Sequence, residues 1–217
     1  MAKIIIFGIQ DFAELANFYI ENDTEHDVVA FSVNEQYINN QKSFCNKPLE
    51  AFERIEKKYP PSDYMFFAPM SPAKMNRIRE KIYNDIKEKG YQLISYISSK
   101  ATVLSNNIGD NCFILEDNTI QPFTTIGNNV VLWSGNHIGH HSEIKNHVMF
   151  TSHVVLSGHC VVNDYCTLGV NSTIRDGITL AEGTFVAMGS TVTKNSPPWS
   201  LLLGSPAKVA DKSSKDI

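Results

Sequence analysis

Histidines are concentrated in one short part of this chain. Of the seven histidines in 217 residues, six lie between residues 137 and 159, namely His137, His140, His141, His147, His153 and His159. A histidine can accept or donate a proton near neutral pH, and several together can bind a metal ion. Which of these chemistries is open to them depends on how the chain places their side chains.

The second half of the chain has a six-residue repeat. Beginning at residue 108 and stepping by six, every position is a large apolar residue: Ile108, Ile114, Ile120, Ile126, Leu132, Ile138, Ile144, Phe150, Leu156, Val162, Leu168, Ile174, Leu180, Val186 and Val192. The position four residues later is mostly small or β-branched: Cys112, Asn118, Thr124, Val130, Asn136, Ser142, Val148, Val154, Cys160, Cys166, Ser172, Ile178, Thr184 and Ser190. An unbroken period of this kind predicts a solenoid of short strands and corners.

One large and one small inward side chain per repeat fit a triangular coil. Three strands of about six residues close one coil of about 18 residues, and stacked coils lie about 4.8 Å apart. Three of the four cysteines, Cys112, Cys160 and Cys166, take the small inward phase, so we expect them to be structural and unpaired.

This frame sorts the histidines. His141, His147, His153 and His159 share one phase, with successive members on successive faces, so only His141 and His159 stack one coil apart. His140 stands one phase earlier, in the motif Ile138-Gly139-His140-His141-Ser142. None takes an inward phase, so all should point outward, and an evenly spread set should not converge within one subunit. His140 is the candidate general base.

The first half of the chain predicts a different domain. Strands alternate with helices there, which is typical of a small parallel α/β sheet. We expect strands over Lys3–Phe7, Val28–Ser32, Asp63–Ala68 and Leu93–Ile97, and helices over Asp11–Glu21, Pro48–Lys58 and Pro72–Lys89. The repeat begins near residue 100, so the predicted domains are a Rossmann-like unit over 1–98 and a β-helix over 99–217.

Ligands of such sheets bind beyond the carboxyl ends of the strands. The candidates at these strand ends are Gly8, Gln10, Asn34 and Met70, although the GxGxxG fingerprint of dinucleotide enzymes is missing. A looser nucleotide pocket and a docking domain without a ligand both remain open.

Composition narrows the class of partner. A net charge of −4, without a long basic run, gives no sign of a nucleic-acid partner, and no apolar stretch is long enough to span a membrane. We therefore expect a cytoplasmic protein.

The chain resembles the hexapeptide-repeat sugar acetyltransferases that carry an N-terminal Rossmann-like domain. This group includes sialic acid O-acetyltransferases and nucleotide-amino-sugar N-acetyltransferases. The resemblance lies in the unbroken repeats, in the His140 motif, and in the tail segments Gly189–Lys194 and Gly204–Lys208. It implies a left-handed parallel β-helix, a homotrimer with active sites between adjacent prisms, and acetyl-CoA as co-substrate without a metal.

The resemblance also assigns roles to residues. It makes His140 the catalytic base, where relatives often have Glu or Asp next in the chain and this one has His141, whose role stays open. It implies that acetyl-CoA contacts Gly158, Val170, Met188, Gly189, Pro206 and Ala207, with the Gly158 amide donating to the thioester oxygen. Trp133, Asn136 and His137 precede the motif and are candidates to line the acceptor pocket, or else are prism surface.

Together these features predict N-acetylation of a nucleotide-linked amino sugar in bacterial surface glycan biosynthesis, such as that of lipopolysaccharide. O-acetylation of a free sugar or sialic acid is the alternative. A γ-type carbonic anhydrase, another β-helix trimer, is disfavoured because no two histidines are five residues apart as its zinc ligands are. A scaffold without activity is also disfavoured, because His140, Gly189 and the tail are present.

Overall fold

The computed structural model describes residues 1–217. It contains two compact units. The N-terminal unit comprises Met1–Ser71 and Lys81–Ser95, and the β-helix unit comprises Pro72–Glu80 and Tyr96–Ile217.

The N-terminal unit is built on a mostly parallel sheet. Its strands are β1 (Lys3–Phe7), β2 (Asp27–Val33), β3 (Ser43–Phe44), β4 (Lys47–Ala51) and β5 (Met65–Phe67), in the order β3-β4-β2-β1-β5. The pairs β1–β2, β1–β5 and β2–β4 are parallel, and β3–β4 is antiparallel. Its helical segments are α1 (Asp11–Asp23), the C-terminal part of α2 (Arg77–Glu88), and 3₁₀ turns at Glu35–Tyr37 and Phe52–Lys57.

Apolar periodicity explains these elements. Ile4, Ile5 and Ile6 are fully buried in β1, as expected of a strand covered on both faces. In α1, Ala13, Ala16 and Ile20 are buried at helical spacing.

Three sequence predictions in this half need correction. Residues 48–58 are not a helix: β4 alternates, with Leu49 and Ala51 buried, and a 3₁₀ turn follows. Helix α2 begins at Arg77 rather than at residue 72, because residues 74–76 have positive φ values of 51–64°, which a right-handed helix does not allow. The predicted strand 93–97 is divided, since Leu93 forms a single bridge to Phe66 whereas residues 96–97 are a strand of the β-helix.

The β-helix unit is the predicted left-handed parallel β-helix. In chain order its strands are β6 (Tyr96–Ile97), β7 (Thr102–Val103), β8 (Asn107–Ile108), β9 (Phe113–Ile114), β10 (Thr119–Ile120), β11 (Thr125–Ile126), β12 (Val131–Leu132), β13 (His137–Ile138), β14 (Glu143–Ile144), β15 (Met149–Phe150), β16 (Val155–Leu156), β17 (Val161–Val162), β18 (Thr167–Leu168), β19 (Thr173–Ile174), β20 (Thr179–Leu180), β21 (Phe185–Val186), β22 (Thr191–Val192), β23 (Ser200–Leu203) and β24 (Lys208–Ser213). A 3₁₀ turn at Ser214–Asp216 follows.

Every third strand belongs to the same face of the prism. One face is a sheet of β22-β19-β16-β13-β10-β7, the second of β20-β17-β14-β11-β8, and the third runs from β6 to β21 and continues into β23 and β24. Neighbours on a face are parallel and in register, as where Thr125 pairs with Glu143. The tail ends the stack, since β23 is parallel to β21 and β24 returns antiparallel along β23.

Both predicted inward phases fill the prism. All fourteen small-phase residues are buried, and so is every large-phase residue except Ile108, which is partly buried at the first coil. Cys112, Cys160 and Cys166 are buried and free, which confirms their structural role.

Candidate functional site

His140 lies at a corner of the prism, between β13 and β14. The neighbouring backbone holds this corner: the His140 amide donates to Gln121 Oε1 at 2.9 Å, and its carbonyl accepts from the His159 amide at 3.0 Å. Gly139 permits the close approach, because a Cβ there would stand 2.5 Å from the Gly158 nitrogen. The imidazole of His140 itself is exposed.

The His140 ring rests on Gly158, one coil further along the prism. A Cβ on Gly158 would meet the ring at 2.9 Å from Cε1 and 3.0 Å from Nε2, so only glycine leaves the ring in place. The Gly158 amide donates no hydrogen bond within the chain. By contrast, the equivalent amides of Asn128 and Asn146 donate to side chains of the next coil, at 2.9 and 2.7 Å. An unengaged amide N–H and an imidazole therefore lie side by side.

Asp176 belongs to the same place and was missed in the sequence analysis. Its Oδ1 would lie 3.3 Å from a Cβ on Gly158, the same position that the His140 ring approaches. The 18-residue spacing could have found it, because Asp176 follows Gly158 by the same interval that separates Gly158 from His140.

Three histidines meet at this corner. The Nδ1 atoms of His140 and His141 are 3.0 Å apart, and the rings of His141 and His159 are stacked with centroids 5.0 Å apart and planes at 16°. One ring nitrogen from each of the three lies within 4.8 Å of the others. The predicted stacking of His141 on His159 is confirmed, but the prediction that the histidines cannot converge within one subunit is wrong for these three.

The corner backbone explains why these side chains stack. His141 and His159 have φ values of 57° and 55°, in the left-handed region. The same holds for every sixth residue from 111 to 189: Asn111, Asp117, Phe123, Asn129, Gly135, His141, His147, His153, His159, Tyr165, Asn171, Gly177, Gly183 and Gly189. We call these the left-handed corner positions. Side chains at positions 18 apart project from the same corner, and Phe123 continues the stack below His141, with centroids 4.6 Å apart.

The remaining histidines lie elsewhere. His147 is at another corner, where Asn129 Nδ2 is 2.9 Å from its Nδ1 and its ring stacks on Tyr165. Burial lowers the pKa of the His147 imidazole below its ordinary value. His153 is exposed at the third corner, and His137 is half-buried in β13.

The candidate acetyl-CoA contacts other than Gly158 are at the corner between the third face and the first. Val170 and Met188 follow β18 and β21 and are 39% and 77% exposed. The Gly189 amide donates to the Val170 carbonyl at 2.8 Å. Pro206 and Ala207 are in the turn before β24, and the Ala207 amide donates to the Thr191 carbonyl at 2.8 Å. Within one chain these residues are therefore at a different corner from His140 and Gly158.

Of the acceptor-pocket candidates, Asn136 is enclosed within the prism. It is 1% exposed, its Oδ1 accepts from the Val154 amide at 2.8 Å, and its Nδ2 donates to the Trp133 carbonyl. The Asn136 side chain is therefore not accessible to a substrate, and the prediction that it lines the acceptor pocket is wrong. Trp133 and His137 keep partly exposed side chains.

In the N-terminal unit, three strand ends carry the nucleotide candidates. Gly8 and Gln10 follow β1, Asn34 follows β2, and Met70 lies three residues beyond β5 and packs partly against the core. Gly8 has a φ of 119°, and its amide donates to the Ser32 carbonyl.

Asn34 is engaged by an acidic side chain, since its Nδ2 donates to Glu53 Oε1 at 3.3 Å. Burial raises the pKa of the Glu53 carboxyl, but hydrogen bonds from backbone amides and from Asn34 outweigh it, so the pKa lies below its usual value. The structure therefore brings Gly8, Gln10 and Asn34 to the carboxyl ends of adjacent strands.

No helix in the chain has the length and apolar character needed to cross a bilayer.

Comparisons with known proteins agree with this fold. The profile of the bacterial transferase hexapeptide (six repeats) family matches residues 107–140. No curated protein matches the chain significantly. A variant of perosamine N-acetyltransferase from Caulobacter crescentus, solved with CoA and GDP-perosamine, is similar at a TM-score of 0.84 and 18% identity, over 98% of both chains.

Two further solved structures are similar over nearly the whole chain. The acetyltransferase domain of PglB from Neisseria gonorrhoeae FA1090 has a TM-score of 0.81 at 17% identity, over 97% of this chain and 100% of that one. WeeI from Acinetobacter baumannii AYE has a TM-score of 0.82 at 17% identity, with the same coverage. The chain thus carries hexapeptide repeats and shares the fold of these solved structures.

Proposed function

We propose that this chain is an acetyl-CoA-dependent N-acetyltransferase acting on a nucleotide-linked amino sugar, with His140 as general base. The observation that carries the proposal is the imidazole of His140 packed on Gly158, whose amide N–H has no partner within the chain. A base and a hydrogen-bond donor side by side are what acyl transfer needs. The similar fold has been solved with CoA and GDP-perosamine in one case and with acetyl coenzyme A in another.

His140 Nε2 accepts a proton from the sugar amino group as its nitrogen attacks the thioester carbonyl. The C–N bond forms, the C–S bond breaks, and the proton passes to the departing CoA thiolate. The Gly158 N–H donates to the carbonyl oxygen as negative charge develops there.

His141 sets the tautomer of the base. If Nε2 of His140 is to accept the proton, its Nδ1 must carry one, and that N–H donates to Nδ1 of His141 at 3.0 Å. A neutral His141 therefore orients the base as a carboxylate would. Unlike a carboxylate it brings no negative charge to the base.

A homotrimer would complete the site. Val170 and Met188 expose apolar side chains at one corner, whereas His140 and Gly158 are at another. Prisms packed side by side would bring one corner of each type together across a groove for acetyl-CoA, with Gly189, Pro206 and Ala207 of the same corner contributing. The nucleotide would bind at the strand ends around Gly8, Gln10, Asn34 and Met70, and Trp133 and His137 would border the acceptor. We assign the protein to the cytoplasm and to surface-glycan biosynthesis, where such sugars are made.

The test is an assay for free thiol released from acetyl-CoA, across a panel of UDP-, dTDP- and GDP-linked amino sugars. We expect thiol release with one nucleotide sugar and the mass gain of one acetyl group on its nitrogen. If no sugar of the panel causes thiol release although acetyl-CoA still binds, the proposal of N-acetylation is wrong. O-acetylation of a free sugar or sialic acid would then be tested with the same assay.

A further inference from the structure

The corner that holds the base also gathers a set of metal-ligating atoms. His140, His141 and His159 each offer one ring nitrogen, and the three atoms lie within 4.8 Å of one another. All three side chains are exposed, so an ion could reach them and keep open coordination positions for water. We propose that these three histidines bind one divalent transition-metal ion of the zinc type.

Metal binding requires side-chain rotations but no movement of the backbone. Zinc–nitrogen bonds of about 2.0–2.1 Å in a tetrahedral site place ligand nitrogens about 3.3 Å apart. The Nδ1 atoms of His140 and His141 are 3.0 Å apart, and one ring nitrogen from each of the three residues lies within 4.8 Å of the others, so all three rings have to turn for their lone pairs to converge on one ion. An exposed side chain can make such a turn within its allowed rotamers.

The backbone beneath the rings is fixed, which keeps the three ligands together. The His159 amide donates to the His140 carbonyl at 3.0 Å, and the His141 amide donates to the Pro122 carbonyl at 3.3 Å. The three residues are thus held in one ladder of coils before any ion arrives, so little ordering is needed on binding.

The ligand set selects the kind of ion. Three neutral imidazoles suit Zn²⁺, Co²⁺, Ni²⁺ and Cu²⁺, whereas Mg²⁺ and Ca²⁺ prefer oxygen ligands. None of the three histidines forms an ion pair that would compete for its nitrogens.

Metal binding has a consequence for the base, which rests on the proposed function. The ion would occupy a nitrogen of His140 and displace the proton shared between His140 and His141. The ion would therefore inhibit acetyl transfer. Because the ion and protons compete for the same ring nitrogens, the affinity for the metal would fall as the pH is lowered.

The experiment measures metal binding directly, on the full chain without a polyhistidine tag. Zn²⁺ is titrated by calorimetry, and Co²⁺ is followed by its visible absorption, whose intensity reports tetrahedral nitrogen coordination. Neither acetyl-CoA nor a sugar is present, so failure here is distinguishable from failure of the proposed function. Mg²⁺ serves as the ion that should give no signal.

Two matched variants locate the site. His159→Asn removes one ligand, and His153→Asn removes an exposed histidine with a similar φ, 58° against 55°, at another corner. Asparagine tolerates this left-handed conformation, so both variants should fold.

We expect one ion per chain. His159→Asn should weaken binding by at least about tenfold, while His153→Asn changes it by less than about twofold. The absence of a Co²⁺ spectrum, equal affinity in wild type and His159→Asn, or an equal loss in both variants would overturn the proposal.

Discussion

His140 and Gly158 are in direct contact, with the imidazole lying where a side chain at position 158 would begin. A Cβ there would stand 2.9–3.0 Å from two ring atoms. The contact links the identity of one residue to the position of another, and it makes the glycine part of the site although it carries no functional group.

Gly158→Ala should displace the base without unfolding the protein. The clash is with an exposed ring that can swing away, so the melting temperature should change little. Moving a base by about 1 Å costs on the order of 10²-fold in turnover. Thiol release measured beside a thermal melt checks this, and unchanged turnover would show that the ring position does not matter.

His140→Ala should lower turnover by about 10²–10⁴-fold, the usual contribution of a general base. Oligomeric state and acetyl-CoA affinity should stay as they are, because the side chain is exposed and its backbone contacts remain. His147→Asn is the control, since His147 lies at the corner that holds neither His140 nor the candidate acetyl-CoA contacts, and asparagine suits its left-handed φ of 58°. A similar loss in both variants would contradict a specific role for His140.

Stability should depend on pH through His147. Burial lowers the pKa of its imidazole below the ordinary 6.5, so the unfolded chain binds a proton more readily than the folded one. Stability is therefore full above the unfolded pKa and is lost as pH falls through the folded value. Protonation would also place an N–H of His147 against the Nδ2 of Asn129, whose Oδ1 already accepts from Asn111.

The measurement is the melting temperature at about pH 7.5 and about pH 5.5, for wild type and His147→Asn. The wild type should lose more on acidification than the variant, which lacks the titrating ring and keeps a residue suited to the left-handed corner. Equal losses would remove His147 as a source of the pH dependence.

Two corner glycines offer a matched pair for stability. Gly177 and Gly183 have φ values of 69° and 65°, but a Cβ at Gly177 meets nothing within 4 Å, whereas one at Gly183 would lie 2.2 Å from Cε3 of Trp199. Gly177→Ala should cost only backbone strain, about 1–2 kcal/mol. Gly183→Ala should cost about 1–3 kcal/mol more, because Trp199 must leave its stack on Tyr165.

Urea unfolding followed by tryptophan fluorescence measures both effects. Trp199 is one of only two tryptophans, so its displacement should also alter the folded-state emission of Gly183→Ala. Equal destabilisation of the two variants would show that displacing the Trp199 side chain does not lower the free energy of unfolding.

The β-helix could be predicted from the sequence because its signal is local and repeated. Each inward residue, from Ile114 to Val192, is set by its own six-residue repeat, and the next coil needs only to stack on it. The N-terminal unit depends on pairing between distant segments. Residues 48–58 look helical, yet Leu49 pairs with Phe31 on the neighbouring strand.

The candidate site was predictable in its parts more than in its arrangement. His140 and Gly158 follow from the repeat and from the resemblance. The convergence of three histidines could not be predicted from their phases, because it depends on how the His140 ring turns toward His141 at the corner. Asp176 was missed because it belongs to no motif, and only stacking at 18-residue intervals brings it next to Gly158.

The left-handed corner positions carry functional side chains at a cost in stability. Glycine and asparagine occupy such a conformation with little strain, whereas an ordinary side chain loses on the order of 1–2 kcal/mol there. Four histidines occupy these corners: His141, His147, His153 and His159. The folded state is therefore less stable than it would be with glycine or asparagine at the same positions. Selection for folding stability alone would favour glycine or asparagine at these four positions. Replacing His153 by asparagine should therefore raise the free energy of unfolding, and it leaves the corner of His141 and His159 unchanged.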